Sequence, residues 1–363
     1  MRTPLAWLGK AWRSLYRLRT GVILLTALLG AIVSGTLFPQ APQAGASTAW
    51  WEAVRDRYGF LYTPLRALGL FDVFDAPWFW GLMGLLALST LACFLNRLRP
   101  LARLVLRPRI HLPEARFEQG ALRARLTFPT PQAAESALRA RLRGYRLQVE
   151  RDDDGLYLRA DRLRLSRWGT LLTHASLVLL LLGAAWGNLW GWRAPALAVG
   201  SDQVTEVGHG TGVGLRCEGL EITRYDDGTP RDYRADVTFV GTGGKQSAQG
   251  TLRVNHPIKR AGVSYYLQGY RLSESGACDV TLSAVHDPSY NLMLIAGLGL
   301  LLGMTLTFHL PHRRLWARLG PSGEVALVSA TDWDQARLAR QFEDLVNDLE
   351  NAAERAQARV EEV

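Results

Sequence analysis

Histidine is the side chain of this sequence with the most chemistry open to it, and there are seven. His111, His209, His256, His286 and His312 sit outside the long uncharged runs, whereas His174 and His309 fall inside them. An ionisable group within such a run is costly and usually faces protein rather than lipid. A neutral imidazole there can hydrogen-bond a neighbouring helix or serve as an axial ligand to haem iron. His309, against Pro311 and Arg313, reads as a residue of the membrane surface. His174 lies deeper, in Leu171-Leu172-Thr173-His174-Ala175-Ser176-Leu177, roughly 8 Å of helical rise inside its run. For His174 both readings stand.

Other chemistries find little support. Cys93, Cys217 and Cys278 have no C-x-x-C spacing, which argues against a thioredoxin-like redox site or a zinc site. Neither G-x-S-x-G nor H-E-x-x-H occurs, and the glycine-rich Gly208–Gly214 lacks the lysine and following helix of a phosphate-binding loop. The uncharged runs hold no carboxylate, so a proton-driven transporter would lack its usual relay.

The elements that must position His174 are set by where charge is absent. Windows 21–38, 77–96, 169–190 and 290–309 contain no Lys, Arg, Asp or Glu. Each is long enough, at about 1.5 Å per residue, to cross a hydrocarbon layer of roughly 30 Å. This pattern excludes a soluble globular protein and a porin-like barrel, whose strands would alternate. The expected fold is a four-helix membrane protein with an all-β exported domain and a small α+β cytoplasmic insertion. Window 21–38 follows basic residues and ends at Leu37-Phe38-Pro39-Gln40; with only Ala44-Gly45-Ala46 as a weak cleavage candidate, it is expected to stay as an anchor.

Basic residues beside the spans orient them. Segments 1–20 and 97–168 are rich in arginine and the tail 310–363 opens with Arg313, Arg314 and Arg318, whereas 39–76 and 191–289 are nearly balanced. Both termini and 97–168 are therefore expected in the cytoplasm, and 39–76 and 191–289 outside, in a multi-pass protein of the cell membrane. The net charge of +9 fits this topology and anionic lipid headgroups rather than nucleic acid. Trp78, Trp80, Trp186, Trp190 and Trp192 at outer ends, and Trp168 and Trp316 at inner ends, read as interface anchors, as does Trp50-Trp51.

Between the spans, residues 4–19 read as an amphipathic surface helix. In 97–168, Ala121–Phe128 alternates like a strand, Thr130-Pro131 opens a helix through Arg143, and Tyr145–Arg151 with Leu156–Arg162 form a hairpin across 152–155. This β-α-β-β unit is expected to act as a docking module. Segment 191–289 carries repeated strand signals and is read as a sandwich or partial barrel. Cys217 and Cys278 share it; a structural disulfide and two unrelated buried thiols are both open. Thr331-Asp332-Trp333-Asp334 resembles a capped helix start. Leu338, Phe342, Leu345, Leu349, Ala352 and Ala356 then make a stripe for a partner helix or for the 97–168 segment.

Five stretches taken in order resemble one family. Ser34-Gly35-Thr36-Leu37-Phe38-Pro39-Gln40 looks like its close of the first span, and Phe71-Asp72-Val73-Phe74-Asp75-Ala76-Pro77-Trp78-Phe79 like its approach to the second. His174-Ala175-Ser176-Leu177 with Gly183 matches the start of its third span. Asn255-His256-Pro257-Ile258 followed by Val263-Ser264-Tyr265-Tyr266-Leu267-Gln268 resembles its outer-domain signature, and His309 to Trp316 its basic exit. The chain thus resembles ResB, the membrane component of System II cytochrome c biogenesis. The resemblance implies a ResC/CcsA-type haem-handling partner and transport of haem b across the membrane. It further implies support for attaching that haem to the C-x-x-C-H motif of apocytochrome c, whose thiols a thiol-reducing protein can keep available. It implies an axial haem-iron ligand at His174. The chain would be a subunit of a cytochrome c synthase rather than a catalyst alone. A satisfied turn histidine and a contact for apocytochrome or partner both remain open for Asn255, His256 and Pro257. A scaffold that touches no haem, and a sensor or transporter with a ligand-binding β-domain, are the rival readings.

Overall fold

A long uncharged run, with no water to satisfy its backbone, must close its own hydrogen bonds, and the helix does this within one segment. In the computed structural model, which describes residues 4–42, 46–152, 155–241, 246–272 and 278–361, all four runs are helical. The chain begins with helices α1 (Pro4–Leu15), α2 (Leu18–Leu37), α3 (Thr48–Tyr58), α4 (Tyr62–Ala67), α5 (Pro77–Leu106) and α6 (Glu114–Gln119). Strand β1 (Leu122–Thr127), helix α7 (Pro131–Arg141), strands β2 (Arg146–Asp152) and β3 (Gly155–Arg162) and helix α8 (Gly169–Trp190) follow. Next come strands β4 (Trp192–Gly200), β5 (Thr205–Glu206), β6 (Gly214–Arg224) and β7 (Pro230–Val240). Then come β8 (Gln246–Arg253), β9 (Ile258–Arg260), β10 (Val263–Leu272) and β11 (Cys278–His286). Helix α9 (Tyr290–Phe308), strands β12 (Arg313–Leu319) and β13 (Glu324–Thr331) and helix α10 (Gln335–Glu361) complete it. Helices α2, α5, α8 and α9 are long and apolar enough to cross a membrane. Their outer faces leave Leu29, Leu88, Leu182 and Ile295 exposed, as suits a helix whose solvent is lipid.

Two compact units form: Met1–Thr20, Leu88–Val178 and Gly297–Val363 make an α/β unit, and Gly21–Ala87 with Leu179–Ala296 make a β-rich unit. In the α/β unit a five-stranded sheet runs β1-β13-β12-β3-β2, antiparallel throughout. The 97–168 insertion is therefore not a self-contained β-α-β-β module. Strands β12 and β13, read in sequence only as a basic exit and its sequel, pair between β1 and β3 and supply the middle of the sheet. Without them β1 and β3 would each leave an open ladder edge. Helices α7 and α10 cover the sheet: Ala134 and Leu138 from one, Phe342 and Leu349 from the other, pack with Leu158, Leu319 and Leu327. The amphipathic stripe of the tail is thus satisfied within the chain, against the 97–168 segment and its own strands. Thr130 caps α7 by accepting from the Ala133 amide at 3.2 Å, with Pro131 at the first turn.

Three boundaries differ from the sequence expectation. Segment 4–19 is broken: α1 stops at Leu15 and α2 starts at Leu18. Helix α5 passes residue 96 to reach Leu106, because arginine and leucine favour helix and Pro100 removes a single amide donor. The tail helix starts at Gln335, since Thr331 ends β13 and the Asp332 carboxylate pairs with Arg167 and Arg314 instead of capping. The hairpin turn at 153–154 and residues 44–45 of the weak cleavage candidate lie outside the described residues, as do the side chains of residues 4–8.

The β-rich unit holds two four-stranded sheets, β4-β11-β10-β9 and β5-β6-β7-β8. Leu215, Val237, Phe239 and Leu252 of the second sheet share a core with Val199, Tyr265, Val280 and Leu282 of the first. Cys217 on β6 and Cys278 on β11 are joined as a disulfide between the sheets, with a Cα–Cα distance of 5.8 Å. Elsewhere in this unit, Gln40 explains the Pro39-Gln40 motif. Its side-chain amide donates to the Phe38 and Leu70 carbonyls, and its carbonyl accepts from the Val73 amide, each at 3.0 Å. At Gly35 a Cβ would lie 2.7 Å from the Phe74 ring, so the glycine permits that contact. Two separated stretches of the resemblance therefore meet. Trp50, Trp51, Tyr58 and Tyr62 gather around buried Phe71, which shows what Trp50-Trp51 packs against.

Candidate functional site

His174 is positioned by a seam of small residues on α8. At Gly303 of α9 a Cβ would lie 2.6 Å from the Thr173 hydroxyl; at Gly299 it would lie 2.5 Å from that of Ser176. Conversely, a Cβ at Gly169 would lie 2.7 Å from the Gly303 carbonyl. Such small residues let two helices approach at backbone distance where no hydrophobic effect drives them together. Successive helical residues are turned by about 100°, so Gly169, Thr173 and Ser176 share one face and His174 projects from a neighbouring one. Gly303→Leu is expected to force α8 and α9 apart, costing about 1–3 kcal/mol by overpacking. Thermal unfolding of the purified protein in detergent reads this; an unchanged midpoint refutes the seam.

The half-buried His174 ring places Nδ1 2.7 Å from the Thr170 carbonyl oxygen, one turn earlier. A carbonyl can only accept, so Nδ1 carries a proton, and in the neutral ring Nε2 then keeps the lone pair. This is the tautomer a metal ligand needs. Among the described residues no group of three or more His, Cys, Asp or Glu could hold a metal ion. One imidazole with a fixed, bare Nε2 does not chelate a free ion, but it fits the single axial position of iron already held by a porphyrin.

The same unit contains a charge cluster that sequence reading did not single out. Asp161 accepts from Arg159 at 2.7 and 2.9 Å and lies 2.7 Å from His312 Nε2, and all three side chains are buried. Burial alone would raise the Asp161 carboxyl. Hydrogen bonds from His312 and Arg159, and their charges, outweigh it and hold the carboxyl at about 2. Arg159 also donates to the Arg109 carbonyl at 2.8 Å and lies over the Trp316 ring. Asp332 accepts from both Arg167 and Arg314. The sequence signal was present, namely arginines flanking the second, third and fourth spans. Without the pairing of β12 with β3, nothing brought Asp161 to His312.

The other sequence candidates lie elsewhere. Asn255 sits at φ 61° in the turn after β8, where the His256 amide donates to the Arg253 carbonyl at 3.1 Å. Asn255, His256 and Pro257 are exposed. His309 is exposed at the end of α9. His209 and His286 flank Trp192, at ring-centroid distances of 4.2 and 6.0 Å. His111 lies 3.2 Å from Glu150, and its ring is tilted against that of Tyr157 at a centroid distance of 4.1 Å.

Comparison with known proteins places this architecture. The model of the ResB-like family matches residues 18–284 and 279–343. A cytochrome c biogenesis protein CcsB from Synechococcus sp. (strain JA-3-3Ab) is 32% identical over 69% of this chain and 52% of its own. Another CcsB, from Microcystis aeruginosa (strain NIES-843 / IAM M-2473), is 25% identical over 73% of this chain and 60% of its own. The chain thus spans little more than half the length of the curated relatives it matches. One solved structure, a cytochrome c heme lyase CcmF, aligns at a TM-score of 0.32 and 17% identity over 71% of this chain and 43% of that one. A likeness at that level carries no argument. The family match extends over all four spans, the β-rich unit and both tail strands: the chain belongs to the ResB-like family.

Proposed function

We propose that this protein is the haem-ligating half of a cytochrome c maturation complex in the cell membrane, working with a ResC/CcsA-type haem-handling partner. The observation that carries the reading is the His174 imidazole, held with Nδ1 on the Thr170 carbonyl and Nε2 free. Membership of the ResB-like family and the similarity to CcsB proteins support the pathway. Haem b is the cargo. His174 ligates its iron from the side of the membrane where the basic flanks accumulate, the cytoplasm in this reading. Thr170 keeps the ring from rotating and from taking the wrong tautomer. Segment 191–289, exported in this reading, presents apocytochrome with exposed loops, among them Asn255-His256-Pro257. Thioether formation between reduced C-x-x-C-H thiols and haem vinyl groups is chemistry of the cargo and the client. It requires a supply of reduced thiols, hence a thiol-reducing protein, and asks of this chain binding and orientation.

The test is the haem absorption spectrum of the complex purified after coexpression with the partner, for the wild type and His174→Ala. We expect bound haem in the wild type and a loss on the order of tenfold, or a changed axial-ligand signature, in the variant. Unchanged haem together with unchanged cytochrome c maturation would leave the chain as a scaffold.

A further inference from the structure

Two cavities open along residues 96–107, the last turns of α5 and the residue after it, sharing Pro100 and Leu104 in their walls. One, of about 460 Å³, is bounded by Arg97, Arg167, Thr170, Leu171 and Asp332. The other, of about 390 Å³, is bounded by Arg103, Arg109, Arg159, Arg314 and Trp316. Leucines and the indole form an apolar floor beneath cationic rims. At the rim, Arg97, Arg103, Arg107 and Arg109 are exposed, and among the described residues none of them has a carboxylate partner. Deeper, the three guanidiniums of Arg159, Arg167 and Arg314 share the two carboxylates of Asp161 and Asp332.

The donor capacity of this cluster is not filled. Arg167 Nη1 and Arg314 Nε are buried without a hydrogen-bond partner. Burial depresses the Arg314 guanidinium; Asp332 opposes this, and the like charges of Arg167 and Arg159 add to the depression. A positive excess with idle donors is costly unless an anion meets it, and guanidinium matches carboxylate or phosphate. The apolar floor further requires that the anion end an otherwise apolar molecule. Haem, with carboxylates along one edge of a flat ring, and an acidic phospholipid share that chemistry. Haem is favoured by proximity. Thr170 lines the first cavity and its carbonyl holds His174, about 6 Å along the helix axis.

We propose that this arginine cleft binds the haem carboxylates while His174 takes the iron, so that Arg97, Arg103 and Arg314 select a porphyrin acid. The inference rests on the function proposed above, and its test separates the two. The full chain is placed in phosphatidylcholine nanodiscs and titrated with metal-free protoporphyrin IX and with its dimethyl ester, followed by porphyrin fluorescence. Without iron, His174 is not needed. The acid should bind at least about tenfold tighter than the ester, the scale of a charge-assisted hydrogen bond. Arg97→Gln/Arg103→Gln should remove most of that preference, and His174→Ala should leave it. Iron haem titrated into the same discs should lose its axial signature only in His174→Ala. Equal binding of acid and ester, or a preference indifferent to the arginines, overturns the cleft. A preference that needs the arginines, with an iron spectrum indifferent to His174, upholds the cleft and sinks the ligand. Phosphatidylglycerol that copurifies with the wild type but not with the arginine variant, with no preference for the acid, makes this a lipid headgroup site and overturns the proposal. Far-ultraviolet circular dichroism of each variant confirms that the exposed substitutions leave the fold intact.

Discussion

Replacing Asp161 by alanine is expected to destabilise the α/β unit by about 3–5 kcal/mol, because it strands two buried partners. Arg159 and His312 expose only 5% and 3% of their side chains, so neither can turn to water when the carboxylate is gone. Arg159 cannot lose its proton, so the guanidinium carries most of the penalty. The readout is hydrogen–deuterium exchange over β3 and β12, the two strands the cluster joins. Protection there should fall by roughly a hundredfold or more while the β-rich unit is unchanged. Equal protection in both strands would show that the cluster adds nothing. Replacing the charged group as a whole, as in Arg159→Met/Asp161→Leu/His312→Phe, should recover much of the loss. The pH dependence follows from the carboxyl being held at about 2 against an ordinary 3.8. The folded carboxyl lies below the unfolded value, so its stabilisation is complete above about pH 4 and drains away as pH falls toward 2. That part amounts to about 2 kcal/mol and should be missing from the acid unfolding curve of Asp161→Asn.

How much of this was legible in the sequence follows from the range of the interactions. The four spans needed only the absence of charge over a helix-length window, a local property. Strands β6, β7, β8, β10 and β11 were legible from β-branched or aromatic residues and turns, whereas the short β5 and β9 and the Ala-rich β4 carried little alternation. The sheet of the α/β unit was half visible. The order β1-β13-β12-β3-β2 brings residues 122–127 against 324–331, and no local pattern encodes a pairing across some 200 residues and two apolar runs. The same non-locality hid Asp161 with His312, and Asp332 with Arg167. His174 was legible because an ionisable residue in an apolar run is rare. What the sequence could not supply was the tautomer, which depends on the Thr170 carbonyl, and the arginine cleft one turn away, which depends on α5 running past Pro100.

The second large effect lies in the β-rich unit. The double substitution Cys217→Ser/Cys278→Ser is expected to lower its stability by about 4 kcal/mol, from the chain entropy released when a bridge spanning 61 residues is removed. The location sharpens the expectation. Cys217 is 1% exposed and Cys278 6%, both within the core that the two sheets share, so the bridge ties one sheet to the other where a hydroxyl would find no water. Serine therefore adds a desolvation cost to the lost constraint, and Cys→Ala/Val pairs should be less harmful than the serine pair. The loss should appear as faster exchange in β6 and β11 together, with β2 and β3 of the other unit unaffected. Treating the wild type with a thiol reductant and capping the freed thiols should reproduce the same pattern. If the substituted protein and the wild type exchange alike, with or without reductant, the sheets are held by their shared apolar core alone. In that case Phe239 and Tyr265, whose rings meet at 5.2 Å across the sheets, become the residues whose truncation should part them.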